Sequence, residues 1–186
     1  MKTLEIYRCL CYTVRMKYDY VTLYNKNAAF YRTRPTAKRA LKLGSIMLPW
    51  LFFACYGILW VYALFIESWD TMDLIKILFI PLLVLLTVSV LRVAIQRPRP
   101  YAENGAGITP MVEKNVDDKS FPSRHLACAT VIAMTFLPYY PIAGIFLLSG
   151  SVLLGYIRFA LGLHYPSDLL AGAGLGVALG SLIFLL

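Results

Sequence analysis

The segment that decides the fold runs from Gly44 to Ile66 and reads GSIMLPWLFFACYGILWVYALFI. It contains no charged residue, and it is longer than the roughly 20 apolar residues that a helix needs to cross ~30 Å of hydrocarbon. The chain of 186 residues is 59% hydrophobic, which is more apolar surface than a soluble domain of this size usually carries. The sequence therefore predicts a membrane protein.

Four further apolar segments follow the first. They are Leu74–Leu91, Leu126–Leu137, Ile142–Ile157 and Leu169–Leu186. Their single charge is Lys76, which lies close enough to a segment end to reach the headgroups. Leu126–Leu137 is short, so we expect protein to surround part of it. The predicted fold class is all-α: a polytopic membrane helix bundle with five transmembrane spans, which form one domain over residues 44–186.

The N-terminal arm, residues 1–43, carries the entire net charge of the protein. It holds ten Lys and Arg residues but only two acidic residues, so its charge equals the +8 of the whole chain. We expect a basic amphipathic helix lying on an anionic membrane surface, with a break at Pro35. A plain solvated arm is the alternative. No nucleic-acid-binding motif accompanies the charge, so we expect no nucleic-acid partner.

Two arginines lie seven residues apart where the second predicted span ends. On a continuous helix Arg92 and Arg99 would share one face, and the prolines beside Arg99 predict that the helix stops before it. A guanidinium suits a phosphoryl group because its planar fork donates two parallel hydrogen bonds and stays charged. We therefore interpret Arg92 and Arg99 as phosphate-binding residues. Topological anchoring is the alternative, and it has more weight for Arg97, which fits no motif position.

The third predicted span begins with Phe121-Pro122-Ser123-Arg124-His125. The free N–H groups and positive dipole at the start of a helix favour an anion. Ser123 is placed to cap the helix, to donate to phosphate, or to do both. His125 is the candidate general acid, because an imidazole titrates near neutral pH.

The second of the only two histidines lies in Arg158-Phe159-Ala160-Leu161-Gly162-Leu163-His164-Tyr165-Pro166-Ser167-Asp168. His164 and Asp168 are four residues apart and face the same way on a helical turn. A carboxylate bonded to one imidazole nitrogen fixes the tautomer and leaves the other nitrogen free to attack. Arg158 is placed to balance the charge of a phosphoryl group. Counting of the predicted crossings puts all these span ends on one membrane face.

These three motifs together resemble those of the type-2 phosphatidic acid phosphatase superfamily, K-x6-R-P, P-S-G-H and S-R-x5-H-x3-D. The matching residues are Arg92, Arg99 and Pro100 for the first motif, Pro122, Ser123 and His125 for the second, and Arg158, His164 and Asp168 for the third. Three positions depart from the pattern: Arg92 replaces lysine, Arg124 replaces glycine and Ile157 replaces serine. Arg124 either binds the second phosphate of a diphosphate substrate or points to the headgroups.

The resemblance implies an integral membrane phosphatase that needs no metal and no cofactor. Its expected substrate is a lipid phosphate or diphosphate, such as phosphatidate, phosphatidylglycerophosphate or a polyprenyl diphosphate. His164 would form a phosphohistidine, Asp168 would hold its ring, and His125 would protonate the leaving oxygen. The run Arg97-Pro98-Arg99-Pro100-Tyr101 weakly resembles the bacterial undecaprenyl-diphosphate branch. The alternatives are a catalytically inactive lipid-phosphate binding or transport protein and a haloperoxidase that uses vanadate, although such peroxidases are typically soluble.

The loop between the second and third spans carries four carboxylates at Glu103, Glu113, Asp117 and Asp118. Their spacing matches no EF-hand, so we expect a solvated lid or entrance here, with a metal site as the alternative. In the last span Gly172, Gly176 and Gly180 recur every four residues. Such small residues let helices approach closely, within one chain by preference or in a homodimer as the alternative.

The charge of the arm also predicts an orientation. The positive-inside rule places residues 1–43 in the cytosol, here at a bacterial cytoplasmic membrane. Two crossings later the site would face the cytosol as well, which is the orientation we favour. Members of the resembled family usually have six spans with the site on the outer or lumenal face, so either the topology is unusual or residues 1–43 do not follow the rule.

Overall fold

The described part of the chain forms six helices. The computed structural model describes residues 19–67, 69–102, 105–112 and 119–186. Residues 19–32 are helical (α1), and they are followed by α2 (Pro35–Phe65), α3 (Thr71–Ile95), α4 (Arg124–Phe136), α5 (Pro141–Ala160), α6 (Pro166–Gly180) and a 3-10 turn (Ser181–Phe184). No strand occurs in the described ranges, which agrees with the predicted all-α class.

Four helices are long and apolar enough to cross a membrane: α2, α3, α5, and α6 together with its 3-10 turn. Large apolar side chains cover their outer surfaces; Trp50, Phe146 and Ile142, for example, are 70%, 75% and 87% exposed. A contiguous apolar surface of this kind needs lipid rather than water around it. The structure therefore supports an integral membrane protein with four long spans, and the fifth predicted span corresponds to the shorter α4.

Helix α4 forms the centre of the bundle. It packs against α2, α3, α5 and α6, and ten of its 13 residues are buried. At about 1.5 Å per residue, it is about 20 Å long, less than the hydrocarbon thickness. We expected protein around the N-terminal end of this segment, but protein surrounds nearly all of it.

The glycine repeat of α6 packs against α4. A methyl group at Gly172 would lie 2.5 Å from the Ser123 carbonyl oxygen, and one at Gly180 would lie 2.9 Å from Met134 Cβ. Because only a hydrogen fits at such distances, these positions let the two helices touch along their length. The repeat therefore packs within the chain, and it brings the first turn of α4 against the first turn of α6.

The N-terminal arm divides at Pro35, as predicted. Pro35 begins α2, a position where its missing N–H is not needed. Helix α2 is continuous from there, so the predicted boundary between residues 43 and 44 lies inside it. In α1, Tyr20, Tyr24 and Ala28 recur every four residues and are buried against the bundle. This part of the arm therefore packs on protein, and residues 1–18 lie outside the described ranges.

Candidate active site

The sequence motifs meet at one end of the bundle, where α3 and α5 end and α4 and α6 begin. The Ser123 amide donates a hydrogen bond of 3.0 Å to the Asp168 carbonyl, which joins the starts of α4 and α6. His164 lies in the turn between α5 and α6, and its Nδ1 is 3.0 Å from the Ser120 carbonyl oxygen. The predicted convergence of these span ends is confirmed.

Asp168 accepts hydrogen bonds with both of its carboxylate oxygens. It is fully buried, and its Oδ2 accepts hydrogen bonds from Ser120 Oγ at 2.6 Å and from the Tyr165 amide at 2.9 Å. Its Oδ1 accepts from Arg97 Nη1 at 2.7 Å. A buried carboxylate stays ionised only when donors and a counter-charge replace water, and this arrangement supplies both.

His164 faces two acceptors with the same nitrogen. Its Nδ1 lies 3.0 Å from the Ser120 carbonyl and 3.6 Å from Asp168 Oδ2, so the carbonyl, not the predicted carboxylate, is the closer partner. Two acceptors on one side place the hydrogen on Nδ1 and leave the lone pair on Nε2. Burial lowers the pKa of His164, while the neighbouring Asp168 raises it; Arg99 and Arg158 lower it further. Burial dominates, so the ring is neutral near pH 7 and suited to nucleophilic attack.

Arg99 and Arg158 are buried beside this imidazole. Arg99 Nη1 donates to the Leu163 carbonyl at 3.1 Å, and Arg158 Nη2 donates to the Ser45 carbonyl of α2 at 3.3 Å. Arg158 Nε is buried and finds no hydrogen-bond partner among the described residues. An unsatisfied buried donor is costly, and a phosphoryl oxygen would satisfy it.

Arg92 holds the segment that precedes α4. It is 6% exposed, and it donates to the carbonyls of Pro122, at 3.1 Å, and of Lys119. These bonds fix the backbone around Ser120, whose carbonyl and hydroxyl contact His164 and Asp168. Arg92 therefore supports the geometry of the site in addition to any contact with phosphate.

Ser123 and its neighbours form the first turn of α4. Ser123 occupies the N-cap position, but its side chain makes no capping bond; Oγ is buried without a partner within the described part of the chain. Of the two predicted roles, this geometry favours donation to phosphate.

Arg124 is exposed, His125 is partly buried, and both line a cavity of ≈ 240 Å³ between α2, α3 and α4. Its other walls are apolar, including Phe52, Phe53 and Leu85.

Two residues of the cluster were missed by the sequence interpretation. Topological anchoring had more weight for Arg97 than for the other arginines, and no role in the site was predicted for it; in the structure it pairs with Asp168 and also donates to Ser167 Oγ at 2.7 Å. Helix α3 ends at Ile95, and Gln96 adopts a left-handed conformation with φ of 49°, which redirects the chain after α3. Ser120 lies in no motif, and nothing in its sequence context distinguishes it.

No cluster of three His, Cys, Asp or Glu side chains with metal-binding geometry occurs within residues 19–67, 69–102, 105–112 and 119–186. The four loop carboxylates, Glu103, Glu113, Asp117 and Asp118, lie outside these ranges.

Comparisons with known proteins agree with this site. The fold defines a helical membrane protein, with a buried cluster of His, Asp and Arg side chains at one end of the bundle. The family model of the PAP2 superfamily matches residues 73–186, which include every motif residue named above. The chain belongs to the PAP2 superfamily. This membership supports a membrane lipid phosphatase.

Two solved structures share the fold. Aquifex aeolicus LpxE superposes with a TM-score of 0.64 at 21% identity, covering 82% of this chain and 88% of that one. A transmembrane PAP2-type phosphatidylglycerolphosphate phosphatase from Bacillus subtilis superposes with a TM-score of 0.50 at 24% identity, covering 90% and 94%. No curated protein sequence matches the chain significantly.

Proposed function

We propose that this protein is a metal-independent membrane phosphatase that hydrolyses a lipid phosphate or diphosphate through a phosphohistidine. The observation that carries the proposal is the buried His164 ring, whose Nδ1 faces Ser120 and Asp168 while Arg99 and Arg158 supply positive charge beside it. This combination gives a neutral nucleophile in a cationic, water-poor site, which phosphoryl transfer requires.

In the first step, Nε2 of His164 attacks phosphorus and forms an N–P bond. The P–O bond to the lipid breaks, and the leaving oxygen takes a proton from the His125 imidazolium. In the second step, neutral His125 accepts a proton from water, the hydroxide oxygen attacks phosphorus, and the N–P bond breaks. Inorganic phosphate leaves and His164 is restored.

The arginines and Ser123 stabilise the transferring group. Ser123 Oγ and Arg158 Nε are buried donors without partners in the described structure, so each can bind a phosphoryl oxygen without first breaking another bond. Arg99 and Arg92 add charge, and the start of α4 adds its dipole. Preorganised donors of this kind are usually the largest contribution to phosphoryl transfer.

The substrate is a lipid monophosphate or diphosphate such as phosphatidate, phosphatidylglycerophosphate or undecaprenyl diphosphate. Arg124 lies beside His125 and is exposed, which suits contact with a second phosphate or with the headgroups. A phosphate-release assay on liposomes containing each lipid, with chelator present, distinguishes these substrates. Activity that disappears in chelator contradicts the metal-independent mechanism.

The variant His164→Ala tests whether the protein is an enzyme. We expect loss of phosphate release, whereas Ser149→Ala, which removes a hydroxyl bonded only to its own helix at Ile145, keeps it. Acid-labile labelling of the protein by a ³²P-lipid would identify the phosphohistidine. Lipid-phosphate binding by wild-type protein without any release would instead support a binding or transport protein, and vanadate-dependent halide oxidation would support a peroxidase.

The membrane placement is a separate part of the proposal. The basic arm contacts an anionic leaflet of a bacterial cytoplasmic membrane, and the site faces the cytosol. Glu103→Cys and Ser68→Cys, each in a background without native cysteines, report the two sides through an impermeant thiol reagent. Labelling of position 103 from outside the cell overturns the cytosolic orientation. The oligomeric state in detergent, measured by light scattering, tests a homodimer.

A further inference from the structure

We infer that Arg97 is a positioning residue that fixes the Asp168 carboxylate against His164, and that an aromatic pair extending to α1 holds Arg97 in place. The effect on rate rests on the function proposed above, whereas the effect on the imidazole does not.

The two oxygens of the Asp168 carboxylate have different partners. Arg97 Nη1 bonds Oδ1 at 2.7 Å, while Oδ2 faces Ser120 and, at 3.6 Å, His164. Because donors bond both oxygens, the rotation of the carboxylate is restricted. The Arg97 side chain is 29% exposed and Asp168 is fully buried, so the pair lies at the boundary of the site. A catalytic group held within a narrow range of orientations reacts faster than one that rotates.

Arg97 itself is held by an aromatic contact. Its guanidinium carbon lies 4.1 Å from the centre of the Tyr165 ring, within the range of a cation–π contact. The Tyr165 ring in turn contacts Tyr20 of α1, with ring centres 4.9 Å apart. Tyr20 also packs edge-on against Phe159 of α5 at 6.0 Å. A chain of contacts therefore connects α1, through Tyr165 and Arg97, to the Asp168 carboxylate.

Arg97 also acts through its charge. Arg97 offsets the negative charge of Asp168, which otherwise favours protonation of His164. Among the described residues, the charged groups that act on His164 besides Asp168 are Arg99 after α3 and Arg158 on α5. Tyr20 of α1 lies near Asp168, the Tyr165 ring lies against Arg97, and the first turn of α4 carries Arg124 and His125. Removal of the cation at position 97 therefore leaves Asp168 less compensated, and His164 should retain its proton to a higher pH.

The imidazole itself provides the direct test, because the chain contains only two histidines. Protein labelled with ¹⁵N-histidine gives two imidazole spectra, and His164→Ala assigns them. In Arg97→Gln we expect the midpoint of the His164 titration to rise by about 1 pH unit. In Arg97→Lys, which keeps the charge, it should return towards the wild-type value. Lys119→Gln removes a charge at the same end of the bundle, where Lys119 bonds Gln96, and should leave the midpoint unchanged.

The kinetic test uses the same variants with a lipid phosphate. In Arg97→Gln we expect kcat to fall about 10- to 100-fold, with little change in KM, and the acid limb of the pH profile to move upward. Tyr20→Leu removes the ring and should lower kcat severalfold, whereas Tyr20→Phe removes only a hydroxyl that has no partner among the described residues. Equal effects of Tyr20→Leu and Tyr20→Phe contradict the role of the aromatic pair.

The outcomes separate this inference from the proposed function. Wild-type protein that releases no phosphate contradicts the function, but the ¹⁵N titration still tests Arg97. The inference is overturned if the wild type is active and Arg97→Gln shows the same His164 titration midpoint and the same acid limb as the wild type. If size-exclusion chromatography shows that Arg97→Gln is not folded, Arg97→Lys takes its place. A wild-type kcat and a wild-type pH profile of Arg97→Lys support a role for the charge, and a kcat as low as that of Asp168→Asn contradicts it.

Discussion

The two ends of the helix bundle use carboxylates in different ways: Asp168 at the site is buried, whereas Glu67 at the other end is exposed. At the end away from the site, the turn between α2 and α3 is tied to the turn between α4 and α5. Tyr140 donates to Glu67 at 2.8 Å, and Tyr139 donates to Asp73 at 2.8 Å. Trp69 donates to Glu67 at 2.6 Å, and its ring lies 4.0 Å from that of Tyr139.

The carboxylates at the two ends differ in the side chains that they contact: tyrosines at one end and an imidazole at the other. Burial and the neighbouring Glu67 raise the pKa of Tyr140 to about 12, so this phenol keeps its proton throughout the physiological range. A donor that does not titrate near pH 7 can hold two turns together but cannot exchange protons there. At the other end, Asp168 lies beside an imidazole. We therefore expect the first end to contribute to stability and the second to catalysis.

The largest contrast between the two ends is expected from Asp168→Asn and Glu67→Gln. Each replacement keeps the shape of the side chain and removes its charge. Asp168→Asn loses the negative charge that balances the developing imidazolium and Arg97, and it keeps only one of the two acceptor oxygens, so we expect phosphate release to fall about 10³-fold or more. Glu67→Gln should stay within about twofold of wild type. The comparison uses initial rates of equal amounts of monodisperse protein, and similar losses in the two variants would remove the distinction between the ends.

A second contrast uses two glycines of α6. A methyl group at Gly172 would press against the Ser123 carbonyl at the site, whereas one at Gly174 meets nothing within 4 Å. Gly172→Ala should separate the first turns of α4 and α6, lower activity at least tenfold and reduce the free energy of unfolding by about 1–3 kcal/mol. Gly174→Ala should leave activity intact and, through its higher helix propensity, stabilise slightly. Activity and thermal unfolding in detergent check both, and an active Gly172→Ala protein would show that this contact is adjustable.

Much of this arrangement could be predicted from the sequence. The uncharged runs predicted the long helices because a bilayer requires continuous apolar segments. The convergence of Arg158, His164 and Asp168 could be predicted from their spacing. Arg158 lies at the end of one helix and Asp168 at the start of the next, with a short turn between them. The start of α2 was missed because Lys38, Arg39 and Lys42 interrupt the apolar run. A helix does not need apolar residues where it leaves the hydrocarbon, so the charges do not mark its end.

Contacts between distant segments could not be predicted in the same way. Ser120 and Arg97 reach Asp168 from 48 and 71 residues away. Neither is a defining residue of the three motifs, and their partners follow from the path of the chain after α3 and before α4. The bond from His164 to the Ser120 carbonyl is likewise invisible in the sequence, because a backbone acceptor leaves no signature in residue type.

A smaller effect is expected from pH. Because burial lowers the pKa of His164, the neutral nucleophile should persist below the ordinary histidine value of about 6.5. The acid limb of kcat/KM should therefore lie below about pH 6.5. The same shift makes the folded state lose stability as pH falls through the unfolded-state value, since the unfolded chain then binds a proton that the folded chain does not. This acid loss should be smaller in His164→Asn than in wild type. An acid limb above the ordinary value would mean that Asp168 outweighs burial.

The smallest effect is expected at the end away from the site, from Tyr139→Phe. The substitution removes the hydroxyl that donates to Asp73 and leaves the ring against Trp69. Because Asp73 is still bonded by Lys76 at 3.2 Å and is partly exposed, the free energy of unfolding should fall by only about 1 kcal/mol. Activity should not change. Tyr139→Leu, which also removes the ring, should cost more stability but still leave activity intact. Phosphate release that falls in step with stability in these two variants would show that the two ends are coupled through α4, whereas unchanged release would show that each end acts independently.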